Sequence, residues 1–211
     1  MLKVLMSYVQ RQANLTAKQV KRDCEPMEDY ERGELADYRV QAVIDVLRER
    51  DSKYDSEQER IIIVHSNLRR VDFSRSDLNR AILVGNDIQG GTFKNATLGK
   101  GADLSYARLD FANFSSADLS ETNLSGACLV RAELNGSNLS GANLQGADLR
   151  NVINATGNFA GANLNGADLR QAELGNAKGL TAKQLSQAIL DCDTVLPAEV
   201  SEVKKPLNCS P

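Results

Sequence analysis

From Ala102 to Arg150 the chain reads ADLSY ARLDF ANFSS ADLSE TNLSG ACLVR AELNG SNLSG ANLQG ADLR, and a large apolar residue returns every five positions. The row is Leu104, Leu109, Phe114, Leu119, Leu124, Leu129, Leu134, Leu139, Leu144 and Leu149, and it resumes in register at Phe159, Leu164, Leu169 and Leu174. Upstream the same period runs through Leu68, Phe73, Leu78, Leu83, Ile88, Phe93 and Leu98. The step from Leu98 to Leu104 is six, so one extra residue sits near Gly99–Gly101, where a bulge or protruding corner is expected at Lys100. Leu, Ile or Phe fills 21 of the 22 sites, Asn154 being the exception. Two places earlier Ala, Ser, Gly or Thr fills 19 of 22, failing only at Val71, Asn86 and Val152, and the residue between is Asn or Asp in 14 of 22.

A period of five excludes both regular elements. In an α-helix, residues five apart are rotated by about 140°, so the leucines would wind around every side and bury nothing. A flat strand demands alternation by two. Each unit must therefore bend the chain back to an equivalent position, with inward room for a leucine at one point and for a small side chain two residues earlier. One unit cannot bury its own leucine, so units must stack into a solenoid with an axial column of Leu and Phe. Asn, Asp, Ser and Gly between the buried positions suit corners, because they accept tight turns and bond to nearby backbone.

This pattern resembles the pentapeptide-repeat family, whose motif is A(D/N)LXX, over roughly Ser66 to Gly175. The resemblance implies an all-β solenoid, a right-handed quadrilateral β-helix with four pentapeptides per coil. At about 4.8 Å between coils, 22 units would make five to six coils and a rod of roughly 25 Å. The stretch 151–157 departs from the motif, with Asn154 at an inward site and Val152 in place of a small residue; a local distortion is expected there rather than a ligand site.

The flanks read differently. Residues 1–60 are expected to form a mainly α-helical cap or docking segment, 61–179 the β-helix, 180–196 a C-terminal capping helix and 197–211 a mobile tail. Thr181 and Gln184 make a capping box, and Leu185, Ala188 and Ile189 an apolar stripe. Within the first 60 residues, Met1–Gln12 and a segment starting at Thr16 are expected helices, and Glu25–Tyr30 a loop. Ala36–Arg50 carries Val40, Val43, Ile44 and Leu47 at helical spacing. Ile61–Val64 is expected as a buried strand entering the first coil. The phrases VLMSYVQ and RVQAVIDVLRER are similar to the lead-in of larger bacterial pentapeptide-repeat proteins, which would make this chain a shortened relative.

Composition narrows the function classes. Lys+Arg 25 against Asp+Glu 28 leaves a formal charge of −3, too small a field to imply a polyanion partner. One His in 211 residues leaves little acid–base equipment, and His65 reads as structural. GNDIQGG at Gly85–Gly91 is no dinucleotide fingerprint, since no βα unit follows it. Asp103, Asp118, Asp148 and Asp168 take the motif's outward position and are expected to serve corners and solubility rather than catalysis or Ca²⁺. Cys24, Cys128, Cys192 and Cys209 are far apart; a Cys192–Cys209 bridge in the tail is the alternative, and four reduced thiols are the expectation. No apolar run reaches eighteen residues, so no membrane span is expected and the cytoplasm is the expected location. No cofactor, metal site or catalytic residue is expected.

What remains is surface. Stacking by twenties sets Asp148 over Asp168 and Arg150 over Arg170, with Arg131 nearby, a mixed-sign ladder able to meet a protein partner. The expectation is a non-enzymatic binding or scaffold protein with an unidentified protein partner, and with homodimerisation through a capped end open to it. The resemblance also brings two alternatives from family members: a DNA-mimicking modulator of DNA gyrase, and a regulator that binds a transcription factor. The mimic needs a strongly negative rod, whereas residues 66–175 carry 11 acidic and 10 basic groups, a net of −1. Direct nucleic-acid binding is not expected on the same ground.

Overall fold

The computed structural model describes Cys24 and residues 38–49, 60–99, 101–153 and 156–203. Expectations for Met1–Gln12, Thr16, Glu25–Tyr30, Lys100 and Asn154 lie outside these residues.

Four columns of parallel bridges run along the repeat. One passes through Ile62, Ile82, Asp103, Asn123, Asn143 and Asn163; the next through Asn67, Asp87, Arg108, Cys128, Asp148, Asp168 and Ile189. The third joins Asp72, Thr92, Asn113, Glu133 and Ile153, and the fourth Asp77, Thr97, Asp118, Asn138, Asn158 and Lys178. Each column is a face of a four-sided coil, named here by its first residue.

The chemistry of one unit explains the motif. The Leu104 N–H donates to the Asn123 carbonyl one coil on at 2.8 Å, and the Asn123 N–H donates back to Ala102 O at 2.9 Å, so both neighbours of the outward Asp103 are bound into the ladder. The Ala107 N–H closes the corner on Leu104 O at 3.1 Å. Asn or Asp is favoured outward because its Oδ1 accepts the N–H two residues on, as Asp103 does from Ser105 at 2.9 Å. The last residue of the unit turns the corner with a positive φ, supplied by Gly126 (φ 64°) or tolerated by Tyr106 (φ 56°), whose ring then lies against Gly126.

Inside, the core leucines and phenylalanines from Leu104 to Leu174 are no more than 2% exposed. The Asp72 face adds a stack of Phe73, Phe93 and Phe114, with ring centroids 4.9 and 4.7 Å apart and planes within 9°. The extra residue between Leu98 and Leu104 shows directly in the register: Ile82, Asp87, Thr92 and Thr97 pair 21 residues ahead, whereas the bridges from Asp103–Asn123 to Asn158–Lys178 and Asp148–Asp168 span 20. All four faces absorb this shift once and regain the period, until the last coil lengthens the span to 21 at Asp168–Ile189 and 22 at Glu173–Val195. Val152 is fully buried at its small-residue site, and the ladder crosses the 151–157 stretch in register, from Glu133–Ile153 to Asn138–Asn158.

Both ends of the rod are met by side-chain amides. Helix α1 (Tyr38–Arg48) buries Val40, Val43, Ile44 and Leu47. Its Gln41 imitates a strand, accepting from the Asp72 N–H at 2.7 Å and donating to Asp72 O at 3.0 Å. Thus an edge residue finds both of its ladder partners in one side chain. At the other end α2 (Ala182–Leu185) starts at the capping box of Thr181 and Gln184, and Gln184 Nε2 donates to Phe159 O and Ala162 O at 2.9 Å each.

Three expectations need correction. The C-terminal helix ends at Leu185, because Ile189 joins the ladder instead, donating to Ala167 O and accepting from the Leu169 N–H at 2.8 Å; its side chain points outward and Leu190 turns inward. The tail does not come loose at Pro197, since Ala198–Val200 form a 3₁₀ turn that buries Val200 against the core. Ile61–Val64 is a repeat unit rather than a wholly buried strand: Ile61 and Ile63 point in and Ile62 out, paired with Ile82.

Gly179 marks the tightest approach of the C-terminal coil. It sits at φ 70°, and a Cβ there would fall 2.7 Å from both the Cβ and the backbone N of Ala160. We expect Gly179→Ala to lower stability by about 2 kcal/mol or more, since both the φ and the backbone clash oppose it. A shift of the urea midpoint at unchanged m-value would measure this loss.

Candidate recognition face

Among the described residues, most ion pairs of the coil lie on the Asn67 face. Its outward positions in successive coils are Asn67 and Arg69, Asp87 and Gln89, Arg108 and Asp110, Cys128 and Val130, Asp148 and Arg150, and Asp168 and Arg170. The ladder sets these pairs one above another, and the face divides at Cys128.

On the N-terminal side the charges are buried and linked. Arg69 Nη1 donates to Asp87 Oδ2 at 3.2 Å and also to Gln89 Oε1. Arg108 Nη1 lies 3.6 Å from the same Asp87 oxygen, and Gln89 Nε2 donates to Asp110 Oδ2 at 2.9 Å. Two buried atoms are left without a partner, Arg108 Nε and Asp110 Oδ1. Burial pushes the Asp110 carboxyl up to about 6, against the opposing pull of the Gln89 hydrogen bond and the Arg108 charge.

A pH dependence follows. A carboxyl whose value rises on folding stabilises the protein fully only below its ordinary value of 3.8, and that stability is lost as pH climbs towards about 6. Asp110→Asn removes the loss. We expect the variant to be more stable than the parent by on the order of 2 kcal/mol at pH 7.5, with the difference closing by pH 4. Paired urea titrations at the two pH values would measure it.

On the C-terminal side the charges are paired within their own unit, and the Arg150 and Arg170 guanidiniums, unlike Asp148 and Asp168, are open to water. Arg150 Nε donates to Asp148 Oδ1 at 2.8 Å and its Nη2 to Oδ2 at 2.6 Å; Arg170 repeats the fork on Asp168 at 2.9 and 2.6 Å. Arg150 Nε also comes within 3.8 Å of Asp168 Oδ2, tying the coils together. Burial alone would raise the Asp168 carboxyl, but the Arg170 side chain and backbone N–H hold it below its ordinary value. The Arg150 and Arg170 guanidiniums are raised, each chiefly by the hydrogen bonds to its own aspartate. Arg131, at the corner above, lies over the Phe111 ring at 6.0 Å.

Of the sequence-based candidates, Asp148, Arg150, Asp168 and Arg170 share one face, and Arg131 stands at its corner. Arg69, Asp87, Gln89, Arg108 and Asp110, absent from those candidates, extend the same column. The signal was available: Gln89, Asp110, Val130, Arg150 and Arg170 follow at steps of 21, 20, 20 and 20 once the extra residue is counted. Cys128, likewise absent from those candidates, is bonded to Cys24 across 104 residues. The expected set of reduced thiols is overturned, for Cys192 is disulfide-bonded as well. Sequence distance concealed the first pair because only the stacked coils bring Cys128 to the surface that Cys24 reaches.

Among the described residues no group of three or more His, Cys, Asp or Glu is placed to hold a metal ion. His65 packs its ring on Gly85. A cleft of about 310 Å³ between α2 and Asn163 has Lys183 as its one charged lining residue.

The family model of pentapeptide repeats matches in eight copies, over residues 64–99, 100–136, 117–153 and 158–178, more than half of the chain. The chain belongs to the pentapeptide-repeat family. Its coil is accordingly the right-handed quadrilateral β-helix of that family. Among solved pentapeptide-repeat structures it is similar to QnrB1, a plasmid-mediated fluoroquinolone resistance protein, at 19% identity over 65% of this chain and 75% of that one, with a TM-score of 0.34. Rfr23 from the cyanobacterium Cyanothece 51142 is 27% identical over 68% and 69%, with a TM-score of 0.24. The pentapeptide-repeat protein alr5209 from Nostoc is 33% identical over 50% and 74%, with a TM-score of 0.28. A search of curated proteins gives no match. No helix among the described residues is long and apolar enough to cross a membrane.

Proposed function

We propose that this pentapeptide-repeat protein is a non-enzymatic binding module that offers the Asn67 face to a protein partner. The observation that carries the reading is the repeated Asp–Arg fork of Asp148–Arg150 and Asp168–Arg170, with its guanidiniums exposed over half-covered aspartates and held one coil apart on a rigid ladder. Each fork presents a fixed donor–acceptor pattern, so a partner with complementary charges meets a preformed surface and loses little entropy in ordering it. The near-neutral rod argues against DNA mimicry, which calls for continuous negative charge. The disulfide bonds favour an oxidising compartment over the expected cytoplasm.

The test is affinity capture from the native cell with the full chain and with the Arg150→Glu, Arg170→Glu double variant. Loss of the captured partner on charge reversal, with an unchanged circular dichroism spectrum, supports the reading. Full retention removes the face from consideration. A second reading, a homodimer through the capped C-terminal end, is favoured by Ile189 and Val195, which stand about half exposed on the last coil. A monomer mass by light scattering at high protein concentration would dispose of it.

A further inference from the structure

The Ile62 face ends at Asn163, and its last edge is capped in only half of its chemistry. Between Gly161 and Leu164, three backbone groups point along the rod towards the next coil: Ala162 O and the N–H groups of Gly161 and Leu164. One coil earlier all three counterparts are met, because Ala142 O accepts from the Asn163 N–H, the Gly141 N–H donates to Ala160 O and the Leu144 N–H donates to Asn163 O, each at 2.9 Å. On the last edge Gln184 stands in for the missing strand, and its Nε2 donates to Ala162 O and Phe159 O at 2.9 Å each. Its Oε1 cannot answer the donors, since it accepts from the Thr181 N–H at 2.9 Å and Oγ1 at 2.7 Å. The Gly161 and Leu164 N–H groups therefore have no acceptor among the described residues. Leu164 is 2% exposed, and a buried N–H seldom stays without a partner. Both residues line the cleft of about 310 Å³ beside α2. Lys183 lines it too, exposed and in no ion pair among the described residues, and no lining residue is acidic.

We propose that this cleft binds the carboxylate of a small organic acid, which accepts from the Gly161 and Leu164 N–H groups and is balanced by the Lys183 ammonium. Two backbone donors and one cation, with no carboxylate of the protein beside them, call for an anion. A carboxylate offers about four lone-pair sites on its two oxygens, enough for both N–H groups and the ammonium. One lysine balances its single charge, whereas a phosphate monoester carries about −1.5 to −2 at neutral pH and would be left in excess. The cleft has room for the organic part of such an acid. The capping box keeps the site vacant of the protein's own groups, because Thr181 holds Gln184 Oε1 and the amide cannot turn over to serve the edge's donors. The site lies at the corner between the Asp77 and Ile62 faces and uses none of the Asp–Arg forks, so it stands or falls apart from the partner face assigned above.

The test is a titration of the full chain, labelled with ¹⁵N, by isobutyrate at constant ionic strength, with sodium chloride and inorganic phosphate as the comparison anions. The Gly161 and Leu164 amide protons should move downfield and saturate together, with a dissociation constant on the order of 1 mM, the range open to a ligand of so few atoms. The amides of Arg150 and Arg170 should stay in place. Lys183→Met should weaken isobutyrate about tenfold, as expected when a charged hydrogen-bond donor is lost, and should leave the urea midpoint unchanged. Phosphate should bind more weakly than isobutyrate. A linear drift shared with other surface amides would overturn the proposal, and so would an equal response to chloride. Phosphate binding as tightly as isobutyrate, or Lys183→Met titrating like the parent, would overturn it as well.

Discussion

Phe93→Ala is expected to lower the unfolding free energy by about 4 kcal/mol, the largest effect of any single core truncation proposed here. Phe93 is the middle ring of three, stacked 4.9 Å from Phe73 and 4.7 Å from Phe114, and all three are fully buried. Truncation removes a large apolar side chain and strips one partner from each of two remaining rings. Collapse cannot close the gap, because the ladder fixes the height of each coil at the separation between strands. Phe93→Leu, which keeps most of the volume, should cost about 1.5 kcal/mol. Urea unfolding followed by circular dichroism checks both values, and a loss for Phe93→Ala below about 2 kcal/mol would show that the stack contributes little beyond one exposed surface.

Asn86→Ala should cost about 3 kcal/mol, although alanine is the commonest residue at its position in the repeat. Asn86 is fully buried, and its amide does the work of a missing rung. Oδ1 accepts from the Ser66 N–H at 2.9 Å, and Nδ2 donates to Ile63 O at 2.7 Å and Leu83 O at 2.9 Å. Alanine would restore the motif and leave three backbone groups buried without partners, each costing about 1 kcal/mol or more. Thermal unfolding distinguishes the outcomes. A raised melting temperature would mean that the motif's preference outweighs these bonds.

That contrast shows what a repeat reveals and what it hides. The inward leucines from Leu104 to Leu174 were legible because one geometric demand recurs in every unit, and the same holds for the Thr181–Gln184 capping box, a local signal. The charged column was half legible: Asp148 to Arg170 fall in the exact-period stretch, whereas Arg69 to Asp110 lie across the extra residue, which moves every pair out of the simple count by one. The Cys24–Cys128 bond had no local trace, since it joins a non-repeating segment to an outward position of the fourth coil. Ile189 was misread because a helical stripe and an edge strand share the same short apolar run, and the unpaired Asp168 row, invisible in the local pattern, decided between them. Gln41 was likewise assigned only to a helix; that its amide substitutes for a strand depends on the height at which the helix meets Asp72.

The disulfide also divides the molecule mechanically. A tension applied between the two ends passes through the Cys24–Cys128 bond and bypasses the chain between them, 104 positions apart in sequence. The coils up to that row therefore bear no load, and stretching can unreel only those beyond it. Each such coil of 20 residues releases roughly 70 Å of slack, so an extension trace would show a few steps of that length from the distal coils while the proximal half of the rod stays wound.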